Sequence, residues 1–333
     1  MENFSNNNNE NKKTNNKLFI YKNANDWIND AKNKQTPKMI FSEFWFENEL
    51  CILFSDTNVG KSILAVQIAN IISKGINSKV FKYESKPQKV LYFDFELSDK
   101  QFENRYSENY EQHYSFNNNF IRVEMNPDVE VPYIKKYEDY LAEAFEKVII
   151  STGSKVVIVD NITFLKAETE NAKNALPLMK LLKNLKSKHN LSLLILAHTP
   201  KRDLTKPITK NDLAGSKMLI NFCDSSFTIG SSSIDSNLRY LKQIKQRNCE
   251  EMYGAEHVMV CEIIKENSFL NFDFIEYAEE HNHLSQSSSK NDKADKEETI
   301  SKVKELYKEG YTQREISEIL SISLGTVNKY LKL

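Results

Sequence analysis

The sequence predicts an α/β fold with a mainly parallel central sheet, followed by a small all-α unit. Three observations predict it. Strand-like and helix-like runs alternate between residues 50 and 197, and the strand-like runs are apolar almost throughout, as when helices cover both sheet faces. A polar, serine-bearing stretch interrupts this pattern at 279–297. Helical periodicity then returns over 298–333. The expected organisation is a polar, low-complexity tail with one short helix over 1–36, a main domain over 37–278, a flexible linker over 279–297 and a helical domain over 298–333.

Composition narrows the function classes. Forty per cent hydrophobic residues suffice for a sizeable core, which excludes a wholly disordered chain. With 45 Lys+Arg against 46 Asp+Glu, affinity for a polyanion has to come from local clusters rather than bulk charge. No apolar run approaches the roughly 18 residues of a membrane span. The Asn-rich start MENFSNNNNENKKTNN lacks an apolar signal core, so a cytoplasmic protein with no membrane partner is expected. Cys51, Cys223, Cys249 and Cys261 form no CxxC pair and read as reduced thiols.

The elements follow in order. Residues 24–34 make a short helix anchored by Trp27 and Ile28, and MIFSEFWF from Met39 reads as a short strand or hairpin. Strands are expected at 50–54, 90–95, 120–123, 156–159 and 191–197, with helices at 62–74, 99–106, 134–150 and 175–188. Residues 223–277 lose the helical signal and read as consecutive antiparallel strands.

The first of these strands enters Ser55-Asp56-Thr57-Asn58-Val59-Gly60-Lys61-Ser62, followed by Ile63 and an apolar helix. This is the phosphate-loop pattern GxxxxGK[ST] with Ser55 at the first glycine. Its chemistry needs loop N–H groups and a helix N-terminus around a polyphosphate, a Lys61 ammonium on the β/γ-phosphates and a Ser62 hydroxyl on Mg²⁺. Residues 55–63 are therefore the candidate nucleotide contacts, and ATP and Mg²⁺ the expected cofactors. Ser55 is tolerated where its backbone needs no glycine-only conformation. KVVIVDN places Asp160 at the end of a buried strand, as a second magnesium ligand or as a turn cap. VLYFDFELS brings Asp94 and Glu96 to another strand end, where Glu96 reads as the base that activates water and Asp94 as a supporting group. LSLLILAHT ends in His198, a candidate γ-phosphate sensor or an ordinary structural histidine.

The order of phosphate loop, FDFELS, VVIVDN, LILAHT and a late hairpin resembles the RecA-like ATPases over roughly 37–278, and within them the RepA-type hexameric plasmid helicases and RadA/KaiC-like AAA proteins. The resemblance implies a RecA-like P-loop NTPase with Glu96 as base. It implies that Lys245 and Arg247 in LRYLKQIKQR reach a neighbour's γ-phosphate, the alternative being a cation-blunted edge strand. It also implies a nucleotide contact for Arg105, an ion pair being the alternative. Lys201, Arg202, Lys206 and Lys210 fall on a loop that in such rings meets single-stranded DNA, although a merely solvated loop fits nearly as well. Ala214-Gly215-Ser216 stands where RepA-type helicases carry Arg-Gly-Ser.

In 313–332 the apolar positions Ile316, Leu320, Ile322, Val327 and Tyr330 fit helix, turn at 321–323, helix, and resemble the helix-turn-helix of resolvases and LuxR-type regulators. Thr326, Asn328, Lys329 and Lys332 would then face duplex DNA. The alternative is a three-helix protein-docking module. The combined expectation is an ATP-hydrolysing homo-oligomer, a hexamer by preference, acting as a ring helicase in replication or maintenance of a plasmid or other mobile element. An ATP-switched DNA-binding regulator without unwinding is the rival, and an inactive nucleotide-binding scaffold the third reading.

Overall fold

The computed structural model describes residues 19–129, 137–162, 175–213, 217–285, 291–320 and 322–331. The Asn-rich tail, the Ala214-Gly215-Ser216 motif, the turn residue Ser321 and the candidate DNA contact Lys332 lie outside them.

The first elements are α1 (Ala24–Lys32), β1 (Met39–Phe41), β2 (Trp45–Phe46), β3 (Leu50–Ser55) and α2 (Lys61–Lys74). The chain continues through β4 (Val90–Asp94), α3 (Asp99–Arg105), β5 (Ser107–Glu108), β6 (Gln112–His113), β7 (Phe120–Val123), α4 (Tyr137–Thr152) and β8 (Val156–Asp160). Then come α5 (Ala175–His189), β9 (Ser192–His198), α6 (Lys217–Phe222), β10 (Ser225–Ser231), β11 (Leu238–Lys245), β12 (Val258–Glu266) and β13 (Phe269–Ala278). Three helices close the described chain: α7 (Asn291–Lys308), α8 (Gln313–Ile319) and α9 (Leu324–Leu331).

Nine strands form one sheet in the order β13-β12-β11-β10-β3-β9-β8-β4-β7. From β10 to β7 all neighbours are parallel. The apolar runs of the sequence acquire their meaning here. Cys51, Leu53, Tyr92, Ile158 and Leu194 face the core under α2, whereas Leu50, Ile52, Leu91, Val157 and Leu193 face the core under α4 and α5. Both faces are covered, so alternation disappears.

The four strands β10–β13 run antiparallel to one another, but β10 itself lies parallel to β3. The expected antiparallel set over 223–277 is therefore present, and its first strand joins the parallel part of the sheet beside β3. The physical reason is the return crossover through α6: Asp224, just before β10, accepts the Leu50 N–H at 3.0 Å and starts β10 alongside β3. The expected linker start at 279 also shifts. Residues Glu280–His283 form a 3₁₀ turn in which Glu280 and His283 are buried, and Ser285 N–H donates to Leu204 O at 3.1 Å. The buried Lys242 ammonium needs a counter-charge, and Glu280 supplies it.

In the C-terminal helices Val303, Ile316 and Val327 make a small core between α7, α8 and α9. Thr312 and Glu315 form a capping box at α8, which fixes where that helix begins.

Candidate active site

The carboxyl ends of β3, β9, β8 and β4 meet at one edge of the sheet. Register puts Ser55 opposite His198 and Asp94 opposite Asp160. In an open parallel sheet such an edge is where ligands bind.

Ser55 is the last residue of β3, a strand position, so no glycine conformation is asked of it. The positive φ values fall instead at Asn58 (61°) and Gly60 (110°). Gly60 is close-packed as well: a Cβ there would stand 2.9 Å from Phe272 Cζ and 3.0 Å from Ile263 Cδ1. The loop ends at α2, whose first residue is Lys61 and whose N-terminal N–H groups are available to an anion. Thr57 and Asn58 are exposed, Val59 is buried and Ile63 packs on the core. The Val59 carbonyl accepts from Arg239 Nε at 3.0 Å, which ties β11 to the loop.

Lys61 Nζ donates to Ser55 O at 3.0 Å, Ser55 Oγ at 3.3 Å and Asp56 O at 2.8 Å. Burial pulls its pKa down, while Asp160, Glu96 and Asp56 pull it back up. The ammonium is thus desolvated but surrounded by negative charge, and polyphosphate oxygens are good alternative acceptors for its three protons.

Asp160 is fully buried. Tyr92 donates to Oδ2 at 2.6 Å, and Oδ1 finds no hydrogen-bond partner among the described residues. Burial lifts its pKa from 3.8 to about 6; the Ser62 and Tyr92 hydroxyls draw it partway down, and Glu96 and Asp94 add to the rise. A buried carboxylate with an orphaned oxygen beside a serine hydroxyl fits a hard, oxygen-seeking cation such as Mg²⁺.

Asp94 is also buried and is used up structurally. Its Oδ1 accepts the N–H groups of Glu96 (3.2 Å) and Leu97 (3.0 Å), and its Oδ2 accepts Arg122 Nε at 2.9 Å. That turn holds Glu96 beyond the strand end. Asn161 Nδ2 donates to Glu96 Oε1 and lies 2.9 Å from His198 Nε2, which is itself 3.4 Å from Glu96 Oε1. His198 holds the Glu96 carboxyl below its ordinary pKa; burial opposes this, and Lys61 and Arg105 assist. An ionised carboxylate open to solvent and held by two polar side chains can orient and deprotonate a water. Sequence reasoning missed Asn161 and Arg122. Asn161 directly follows the strand-end Asp160, and Arg122 is a charged residue inside an apolar strand, which were the signals on offer.

Other expected residues stand elsewhere. Lys245 pairs in register with Ser226 at the amino end of β10, the sheet edge opposite the phosphate loop. Its Nζ donates to Ile220 O (2.6 Å) and Cys223 O (2.7 Å), and Arg247 pairs with Asp224 at 3.0 Å. Neither can serve its own loop. Arg105 ends α3, and its Nη1 is buried with no hydrogen-bond partner among the described residues. Lys201, Lys206 and Lys210 are exposed, and Lys206 pairs with Asp203. Arg202 corrects the expectation of a DNA contact: its side chain is 6% exposed and its Nε donates to Asp56 Oδ2 at 3.2 Å. The phosphate-loop carboxylate draws it inward. On α9, Thr326 Oγ1 bonds Ser323 Oγ at 2.8 Å, Asn328 is half-buried and Lys329 exposed.

A family model described as an AAA domain matches residues 21–203, more than half of the chain. No curated protein matches. The matched span holds the phosphate loop, Glu96, Asp160 and His198, and stops before β10.

Proposed function

Since the chain belongs to the AAA domain family, we propose that it is an ATP hydrolase working as an oligomeric ring on DNA, of RepA-like helicase type, in replication or maintenance of a plasmid or mobile element. The observation that carries the reading is the convergence of Lys61, Asp160, Glu96, Asn161 and His198 from four strand ends on one sheet edge.

In this reading the triphosphate lies on the N–H groups of residues 55–63, and Lys61 exchanges loop carbonyls for β/γ-phosphate oxygens. Mg²⁺, held by Ser62 and Asp160, supplies charge neutralisation on those oxygens when bound. Glu96 takes the proton of the attacking water, positioned by Asn161 and His198. Lys245 and Arg247 of a neighbouring copy neutralise transition-state charge, since they lie on the far edge of their own sheet. Arg105 contributes positive potential near Glu96. Lys201, Lys206 and Lys210 track single-stranded phosphates, and α9 offers Lys329 with Asn328 and Thr326 to a duplex.

One observation favours the rival, an ATP-switched DNA-binding regulator. Arg202 is turned inward and Lys206 is paired with Asp203, which leaves the 200–212 loop a weaker polyanion track. The deciding experiment is strand displacement alongside duplex footprinting, both with magnesium and ATP. Hydrolysis stimulated by single strands together with unwinding supports the ring helicase. ATP-dependent footprints without unwinding support the regulator. No heat on titrating Mg²⁺-ATP into the protein overturns both.

A further inference from the structure

Asp56 is bonded at both ends of the residue. Its carbonyl accepts the Lys61 ammonium at 2.8 Å. Its carboxylate accepts the Thr199 hydroxyl on one oxygen and Arg202 Nε on the other, at 3.2 Å for the latter. Thr199 N–H also donates to Ser55 O at 3.1 Å, the same carbonyl that holds Lys61. The segment after β9 is therefore fastened to the two residues that hold the phosphate-loop lysine.

The same segment is fastened a second time, away from the loop. Arg202 Nη1 donates to Lys206 O at 3.1 Å. Ile208, itself buried, donates its N–H to Glu280 Oε1 at 2.8 Å and accepts Lys242 Nζ on its carbonyl at 2.8 Å. Lys242 and Glu280 are paired, and Tyr240 adds a hydrogen bond to Glu280 at 3.2 Å. Leu204 O accepts the N–H of Ser285, after which the chain continues toward α7. A buried ion pair with its remaining valences satisfied holds its geometry firmly, because breaking it strands a charge.

We propose that residues 199–209 couple the occupancy of the phosphate loop to the segment 280–285, with Arg202 as the positioning residue at the nucleotide end and the Lys242–Glu280 pair as the anchor at the other. The proposal rests on the reading of residues 55–63 as a nucleotide site. Its physical basis is a change of partners: a polyphosphate competes for the Lys61 ammonium, the carbonyls of Ser55 and Asp56 lose a charged donor, and the bonds that Thr199 and Arg202 make to those residues are rebalanced. A ligand shifts an equilibrium only through such differential contacts. The contacts from Asp56 to Glu280 form one contiguous network, the kind that carries coupling between sites.

The test is hydrogen exchange by mass spectrometry on the full chain, with and without Mg²⁺ and a non-hydrolysable ATP analogue, and with analogue binding measured separately by calorimetry. In the unmodified protein, exchange at 200–213 and at 280–285 shifts by at least about fivefold, the lower end of ordinary allosteric couplings. In the double variant Lys242→Met/Glu280→Gln, which removes both charges together so that neither is stranded, the shift at 200–213 stays and the shift at 280–285 disappears. Should that variant not fold, Arg202→Gln serves instead, and there the nucleotide response is lost at both segments. The proposal is overturned if the analogue binds and 280–285 does not respond, or if either variant transmits the response undiminished. Failure of the analogue to bind overturns the nucleotide reading itself.

Discussion

Tyr92 on β4 donates its phenol to Asp160 on the adjacent strand β8, at 2.6 Å, and leaves the second carboxylate oxygen buried without a partner among the described residues. The arrangement costs stability when no cation is present. Asp160 has a native pKa of about 6 against 3.8 in the absence of burial. The native state therefore binds more protons than the unfolded state between those values, and stability falls as pH rises through that window. A displacement of this size is worth on the order of 3 kcal/mol above it. We predict that Asp160→Asn stabilises the metal-free protein at pH 8 by a similar amount, with the gain vanishing below pH 3.8. Urea unfolding in a chelator across pH measures it. The same variant loses Mg²⁺-dependent hydrolysis, so a gain in stability with a loss of activity is the expected signature. A variant equally stable at every pH would refute the claim of a costly buried charge.

Glu96 is predicted to be separable from binding. Glu96→Gln keeps ATP affinity and lowers turnover by about 10²–10⁴, the usual contribution of a positioned base. Asn161→Ala misplaces that base rather than deleting it and loses about 10²-fold. The pH profile tells base from support. His198 holds the Glu96 carboxyl below its ordinary value against the opposing effect of burial. Removing it in His198→Ala lets burial dominate, so the acid limb of hydrolysis set by Glu96 moves to higher pH. An unmoved limb with reduced turnover would assign His198 to a purely structural role.

Gly60→Ala tests the packing of the β12–β13 hairpin on the phosphate loop. Its φ of 110° is a conformation that an L-residue adopts only under strain, and the added methyl meets Phe272 and Ile263. Strain of this kind costs about 1–3 kcal/mol. The expected result is a lower unfolding midpoint together with weakened nucleotide binding, read by thermal unfolding and calorimetry on the same preparation. If the clash with Phe272 contributes, adding Phe272→Leu recovers part of the stability.

What the sequence made legible followed from local pattern. Continuous apolar runs marked the buried strands, because both sheet faces are covered, and GKS after a strand marked the phosphate loop, because helix start and lysine must be adjacent in sequence. What it hid depended on distant partners. Arg202 reads as a solvated loop cation until Asp56 is placed beside it. Glu280 sits in a stretch as polar as any linker, and only the buried Lys242 on β11 explains its burial. Asn161 looks like a turn residue after a strand, and its contact with Glu96 exists only because β4 and β8 are neighbours. The parallel placement of β10 is likewise set by where Asp224 finds the Leu50 N–H, a contact that no periodicity encodes.

The last prediction concerns residues placed where their own protomer cannot use them. Lys245 and Arg247 lie at the amino end of β10, across the sheet from Lys61. Arg247 is 54% exposed and its partner Asp224 keeps a second ion pair with Lys186, so Arg247→Ala should change protomer stability by less than about 1 kcal/mol. If a neighbour's site needs it, turnover nonetheless falls by about 10³–10⁵ with ATP binding intact. Mixing distinguishes this from a local effect. Added to the catalytically dead Glu96→Gln protein, which still carries Arg247, the Arg247→Ala protein should regain part of its activity, because one of the two kinds of mixed interface pairs an intact site with an intact finger. Turnover in Arg247→Ala equal to that of the unmodified protein would remove the residue from the reaction and leave it as a cation on the strand's exposed end.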